Sequence, residues 1–461
     1  MLIANRPPNL TAWPHVATPS ENEFLQEMRF VGDVPADEAI DRWVDVTLAR
    51  DPSLKDVEPR RLASELIGFD TAPRLPEVLK FLDKPAETDL TFDAEEEALA
   101  EYLFERHGLK ILMILAFYSL PAAYAAFRGV PVLNSKRGST GGLVNDVNRR
   151  LIETTQFVLE VLTTIRPAPT KGCKHPPRDK AIDSAQRVRL LHALVRHLIL
   201  HHPKPVWNKQ DLGTPVNQED MAGTFLTFSW VVIDGLRRLD VRLRPEQERI
   251  FYDIWKRVAP ALGLLPRLVP ETVEDAERLT RLIRARQVDG PIQEGKVNED
   301  GKVMANALLD FLRRSLPWPL KYIRRLPASV MRFFLPTSPT DVAKSIGIPR
   351  TYGLDELVRL WFFIEAHITR YKIFDVMNRL VFKEWGRENE RARALFQFSR
   401  FFMRRHVLFL RDLDRNEFLE DKDVRHRTKN IDLLGWDERW QFDQSSFVTR
   451  GVKTAVSKVR G

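Results

Sequence analysis

Apolar residues recur at helical spacing through most of the chain, and runs of alternating β-branched residues between turn signals are hard to find. The pattern predicts an all-α protein. A proline-rich entry over residues 1–84 carries short helical stretches at Ala36 to Arg50 and around Arg60 to Ile67, and reads as an arm or small subdomain. An acidic helix follows from Phe92, with Gly108 as its C-terminal stop, and then an apolar run from Ile111 to Phe127. Residues 143–165 predict a long helix on which Val147, Leu151, Val158 and Leu162 trace one stripe, with Arg150 and Thr154 beside it. The segment from Arg166 to Asp183 holds four prolines and must be a loop. It delivers the chain to a helix around His192 that Pro203 and Pro205 end. The next helix starts at Asn217, a natural N-cap with acids in the first turn behind it, and Thr224, Phe228 and Ser229 lie along one side. The Gly- and charge-rich stretch DGPIQEGKVNEDGK then reads as a linker to a C-terminal helical region. The expected division is 1–84, 85–290 and 291–461.

The segment around His192 carries the most chemistry. Val188, Val195 and Ile199 lie four before, three after and seven after His192, so they share its face, while Arg189 and Arg196 lie one turn below and above it. An imidazole on an apolar face between two cations suits a haem, which needs an axial nitrogen, an apolar slot and cations near its propionates. The same pattern equally describes a core histidine with satisfied neighbours. If His192 is a ligand, its second ring nitrogen should be fixed by a carbonyl or a carboxylate.

Composition narrows the classes. With 44% hydrophobic and 29% charged residues the 461-residue chain is an ordinary folded protein. The net charge of +8 is dispersed along helices dense in acids, and no nucleic-acid motif accompanies it, so no nucleic-acid partner is expected. Cys173 is the single cysteine, which precludes an internal disulfide and fits a reducing compartment. The first twenty residues show no basic and then apolar export pattern, and a cytoplasmic location is the expectation. The run from Ile111 to Phe127 is broken by Pro121 and falls short of the roughly 20 residues of a bilayer span, so it reads as buried helix and turn. Phe311 to Leu335 alternates aromatics with six cations and offers a peripheral membrane contact, against which stands packing on the protein's own core.

Other sites are set aside by inspection. There is no Cys-x-x-Cys-His, no His-Glu-x-x-His, no Gly-x-Ser-x-Gly, and the cluster Gly138-Ser-Thr-Gly-Gly142 lacks the end of a phosphate loop. His197 and His201 stand four apart without nearby carboxylates in sequence and make a weak metal pair.

Five segments in order, Tyr118-Ser-Leu-Pro-Ala-Ala-Tyr124, Arg150-Leu-Ile-Glu-Thr-Thr155, Arg189-Leu-Leu-His-Ala-Leu-Val-Arg196, Pro215-Val-Asn-Gln-Glu-Asp220 and Thr224-Phe-Leu-Thr-Phe-Ser229, resemble one family. It is the haem-dependent oxygenases that include latex-clearing rubber oxygenases and MpaB-type enzymes. The resemblance implies a globin-like helical core, with extra N- and C-terminal helices here, around a non-covalent haem b whose iron is bound by His192. It places Arg189 and Arg196 beside that histidine, Arg150 and Thr154 on the neighbouring helix that supports the pocket, and Thr224 after the Asn-Gln-Glu-Asp turn. The reaction it implies uses O2 to cleave a carbon–carbon double bond of a hydrophobic unsaturated molecule. Rubber-cleaving members carry a lysine just before the threonine that matches Thr154, and this chain has Glu153. Glu153 is then either a base or weak iron ligand in the pocket, or a solvent-facing residue of an amphipathic helix. Without an export segment the implied substrate is an intracellular lipid or isoprenoid in place of polymer. Two rivals remain: a non-catalytic haem carrier or gas sensor, and a haem-free helical scaffold at a membrane surface.

Overall fold

The computed structural model describes residues 19–50, 94–134, 180–201, 207–315 and 323–367, together with Phe92 and positions 154, 157, 158 and 161. Among the described residues every regular element is helical, as the periodicity predicts. The longer helices are α1 (Pro19–Met28), α2 (Val34–Arg50), α3 (Ala94–Ile114), α4 (Lys180–Leu200), α5 (Gln218–Phe228), α6 (Trp230–Arg238), α7 (Pro245–Val258), α8 (Val273–Arg284), α9 (Glu299–Ser315), α10 (Leu326–Phe334) and α11 (Leu354–His367).

Gly108 does not stop α3. The helix runs through it and on, by a π-helical turn at Leu115–Ser119, into a final stretch at Leu120–Tyr124. A glycine inside a helix costs only about 1 kcal/mol relative to alanine. Burial of Leu103, Ile111, Ile114, Leu115 and Tyr118 on the core side outweighs that. Arg106–Tyr124 is long and apolar enough to cross a membrane by length and composition, yet 53% of its most apolar window is buried inside the protein.

One hydrophobic core runs through most of the described chain, from Phe24, Leu25 and Met28 of α1 to Val358 and Phe362 of α11, while the buried residues of α2 and Leu190, Ala193, Leu194 and Ile199 of α4 stand apart from it. The stretch that reads as a linker is docked structure. Asn298 caps α9 by accepting from the Gly301 amide at 2.8 Å, and its amide nitrogen donates to the carbonyls of Tyr124 and Ala125. Gly301 lies so near the Tyr124 carbonyl that a Cβ there would come within 2.5 Å of that oxygen. Close approach, and not flexibility, is what this glycine supplies.

The described part of residues 311–335 packs inward. Phe311, Leu312, Ala328, Val330, Met331 and Phe334 are buried, and Phe333 packs edge-on against Phe334 at 5.0 Å between ring centroids. Core packing, rather than an exposed basic and aromatic face, is thus what these residues do. Trp318 and Tyr322 lie outside the described residues, as do Cys173 and the glycine cluster at 138–142.

Candidate functional site

The helix α4 buries Ala185, Leu190, Ala193, Leu194 and Ile199 and lies along α2, so the N-terminal arm covers one side of the helix that carries His192. Beside His192 is a narrow crevice with no room for a water molecule, lined also by Asp33, Arg196, Gln218, Met221, Leu262 and Gly263. The crevice thus joins the arm, α4, the start of α5 and the turn after α7.

His192 is half-buried, its Nδ1 is fully buried, and that nitrogen has no hydrogen-bond partner. Asp33, the carboxylate that shares the crevice lining, is held by Arg189 and makes no bond to this nitrogen. Burial, and then the nearby Arg196 cation, pushes the imidazole down to about 3. The ring is therefore neutral near pH 7, the state in which a histidine can bind a metal.

Neither flanking arginine is a free cation. Arg189 donates from Nε and Nη2 to the two carboxylate oxygens of Asp33, at 2.5 and 2.8 Å. Arg196 donates from Nε to Asp37 at 2.7 Å and from Nη1 to the Val216 carbonyl at 2.8 Å. Only Nη2 of Arg196 is buried and unpartnered, and it lies on a residue that shares the crevice with His192. Buried polar atoms of this kind are usually satisfied by a water, an ion or a ligand.

The Asn-Gln-Glu-Asp turn does more than cap a helix. Asn217 is the N-cap, accepting from the Asp220 amide at 2.9 Å, as the sequence predicts. Gln218 donates to the carbonyls of Gly32 and Gly263 and accepts from the Leu265 amide, which ties the crevice walls together. Glu219 is wholly buried and accepts from Arg29, Arg286 and Gln287 at 3.1, 2.9 and 2.8 Å. The partners come from two distant segments, so nothing in the local pattern signals them.

The other predicted residues fall as follows. Thr224 is exposed and donates to the Asp220 carbonyl, outside the crevice lining. Thr154 is helical and half-buried, and Phe157 one turn on packs edge-on against Trp255 at 6.2 Å between ring centroids. Arg150 and Glu153 lie outside the described residues. His197 meets Asp41 at 2.6 Å and stacks on His201, and no group of three metal-ligating side chains occurs among the described residues.

Whether a haem suits this place turns on donor and room. A neutral imidazole with a buried, unpartnered nitrogen, beside an unpartnered guanidinium N–H, has the donor chemistry of an axial ligand site. The crevice is closed even to a water molecule, far from the roughly 300–1,000 Å³ of ordinary ligand pockets. Its described walls are the arm, α4, α5 and the turn after α7, and most of residues 143–165, the expected opposite wall, lie outside the described residues.

Residues 90–366, more than half of the chain, match the family described as ER-bound oxygenase mpaB/B'/Rubber oxygenase, catalytic domain. The chain belongs to this family. Within the mpaB/rubber oxygenase family it is 26% identical over 118 residues to a rubber oxygenase of Streptomyces sp. (strain K30), a stretch that covers 25% of this chain and 27% of that protein. It thus aligns with about a quarter of that relative's length. The structure of latex clearing protein LCP in the closed state superimposes with a TM-score of 0.57 at 17% identity, covering 81% of this chain and 91% of that one. That likeness shows a shared all-α fold, and the family match spans α3 to α11, including α4 and its histidine.

Proposed function

We propose that this member of the mpaB/rubber oxygenase family is a haem b-dependent oxygenase that adds O2 across a carbon–carbon double bond of an intracellular unsaturated lipid or isoprenoid and cleaves it to two carbonyl ends. The observation that carries the proposal is His192, a neutral imidazole whose buried nitrogen lacks any partner, on the helix the family match covers. Bound haem iron supplies the centre at which dioxygen is activated. The chain's own residues do the rest. With haem bound, His192 would hold the iron through its unpartnered imidazole nitrogen, and Arg196 Nη2 would donate one charge-assisted hydrogen bond to an anionic edge of the group. Met221 and Leu262 are the apolar side chains beside His192 in the crevice. Arg150 and Thr154 are assigned to pocket support, with Glu153 as the proton acceptor where rubber-cleaving members have lysine, and Thr224, exposed outside the crevice, is left out of it.

Protein produced with iron and a haem precursor is expected to show a Soret band, to lose it in His192→Ala, and to consume oxygen with unsaturated lipids. A His192→Ala variant with the band and haem content intact rules this ligand out, and haem without oxygen uptake favours the carrier or sensor. The haem-free scaffold draws support from the small crevice and from the commitment of both flanking arginines to aspartates. A colourless purified protein decides for it. Cell fractionation tests the cytoplasmic placement.

A further inference from the structure

We propose that Asp33 and Asp37, at the start of α2, are positioning residues that fix the roll and register of α4 and thereby aim the His192 ring into its crevice. This deepens the haem reading above and rests on it for its consequence in function. Each aspartate grips one of the arginines that bracket His192, across 156 and 159 residues of sequence. Arg189 and Arg196 stand seven positions apart, which is about 10.5 Å along a helix rising about 1.5 Å per residue. A helix held at one point can still roll about its axis. Two grips two turns apart, with His192 between them, leave neither roll nor slide.

The surroundings are built around these two pairs. Gly263 has a φ of +84°, and a Cβ there would overlap the Asp33 carboxylate and come within 2.7 Å of Arg189 Nε. A Cβ on Gly32 would come within 2.8 Å of an Asp37 oxygen and 3.3 Å of Arg196 Nε. Gln218 then bonds the carbonyls of both glycines, so one side chain holds the two backbones that admit the pairs. Each pair is shielded on one side, with Asp33 at 7% beside Arg189 at 20%, and Arg196 at 3% beside Asp37 at 31% exposure. A ring carried about 6 Å from the helix axis moves about 2 Å for a roll of roughly 20°. A misplacement of about 1 Å can already cost on the order of 100-fold in a reacting site.

The same two helices are joined by a third contact that should not aim the ring. His197 meets Asp41 on the outer part of the interface, where Asp41 is 54% exposed. Asp41→Asn therefore removes an α2–α4 contact while leaving both grips. In the full-length protein, Asp33→Asn, Asp37→Asn and Asp41→Asn are compared by melting temperature, by the His192 nitrogen resonances of haem-free protein labelled with ¹⁵N-histidine, and by haem loss to apomyoglobin. His192→Ala assigns the resonance. Asp33→Asn and Asp37→Asn are expected to shift the His192 resonances and to speed haem loss by about tenfold or more, the effect usual for removing an outer-shell partner of a metal ligand. Asp41→Asn is expected to lower the melting temperature alone. Asp37→Glu keeps the charge, moves the grip by one methylene, and is expected to fold with displaced His192 resonances. Melting changes with unmoved His192 resonances in the Asp33 and Asp37 variants overturn the positioning role. If wild-type protein takes up no haem, the oxygenase proposal fails, and the resonances of the haem-free protein still decide this one.

Discussion

Glu219→Ala is expected to lower folding stability by about 3–5 kcal/mol, the usual loss when one partner of a buried ion pair is removed and the other is left behind. The carboxylate is fully buried and takes three hydrogen bonds, from Arg29, Arg286 and Gln287. Arg29 is itself only 1% exposed, so water cannot replace what it loses. Asp220, its second acceptor, is a weak substitute, because burial pushes that carboxyl above the ordinary carboxylate range. The loss extends to the crevice, because Glu219 and the wall-tying Gln218 are neighbours in one helical turn. Glu356→Ala is the matched control. Its pair with Arg359 is 3.4 Å long with both side chains more than half exposed, and pairs of that kind contribute about 0–1 kcal/mol. Urea unfolding of the two variants beside wild type measures the contrast. A Glu219→Ala loss below about 1 kcal/mol would mean that the network is dispensable for the fold.

How far the sequence discloses this protein depends on whether the physics is local. Helix identity is local, and the stretch from Val34, the Asn217 cap and the His192 helix all follow from spacing and capping chemistry within a few residues. Gly108 and the stretch from Asp289 to Lys302 mislead for the same reason. Read locally a glycine signals a stop or a linker, whereas Gly108 rides inside α3 and Gly301 is there because the Tyr124 carbonyl is close. The site divides along the same line. His192 and its two arginines stand out by their helical offsets, but what the arginines bind does not, since Asp33 and Asp37 lie more than 150 residues away. Their local signature is only that of a helix start, where acidic side chains are common. Glu219 is hidden likewise, because an acid in the first turn of a helix already has a sufficient local explanation. Family resemblance locates the histidine and arginines, yet only the packing shows that both cations are neutralised by the N-terminal arm.

The second large effect is a pH dependence that belongs to His192. In the haem-free protein the folded state holds this imidazole down to about 3, through burial first and the Arg196 cation second, while an unfolded chain titrates it near 6.5. Above about 6.5 the ring is neutral in both states and contributes no slope. Between roughly 6.5 and 3 the unfolded chain binds a proton that the folded protein refuses, so folding stability falls as pH falls, by about 1.4 kcal/mol per pH unit. Across the window this amounts to roughly 3–5 kcal/mol. His192→Leu removes the titrating group, and its urea-derived stability should therefore decline less steeply than wild type by nearly one proton's worth between pH 6 and pH 4. Asp37 and Asp253 are held above the ordinary carboxylate range, which gives the opposite sign at low pH. Asp253 is remote from the substitution and cancels in the difference between the two proteins, and Asp37 is compared through Asp37→Asn in the same series. Parallel curves for wild type and His192→Leu would show that the ring takes up a proton in the folded state as easily as in water. A ring so accessible to protons would contradict the buried, unpartnered Nδ1 on which the ligand assignment rests. A slope difference of the expected size would instead show an imidazole kept neutral at every pH the cell offers, which is what coordination to iron requires.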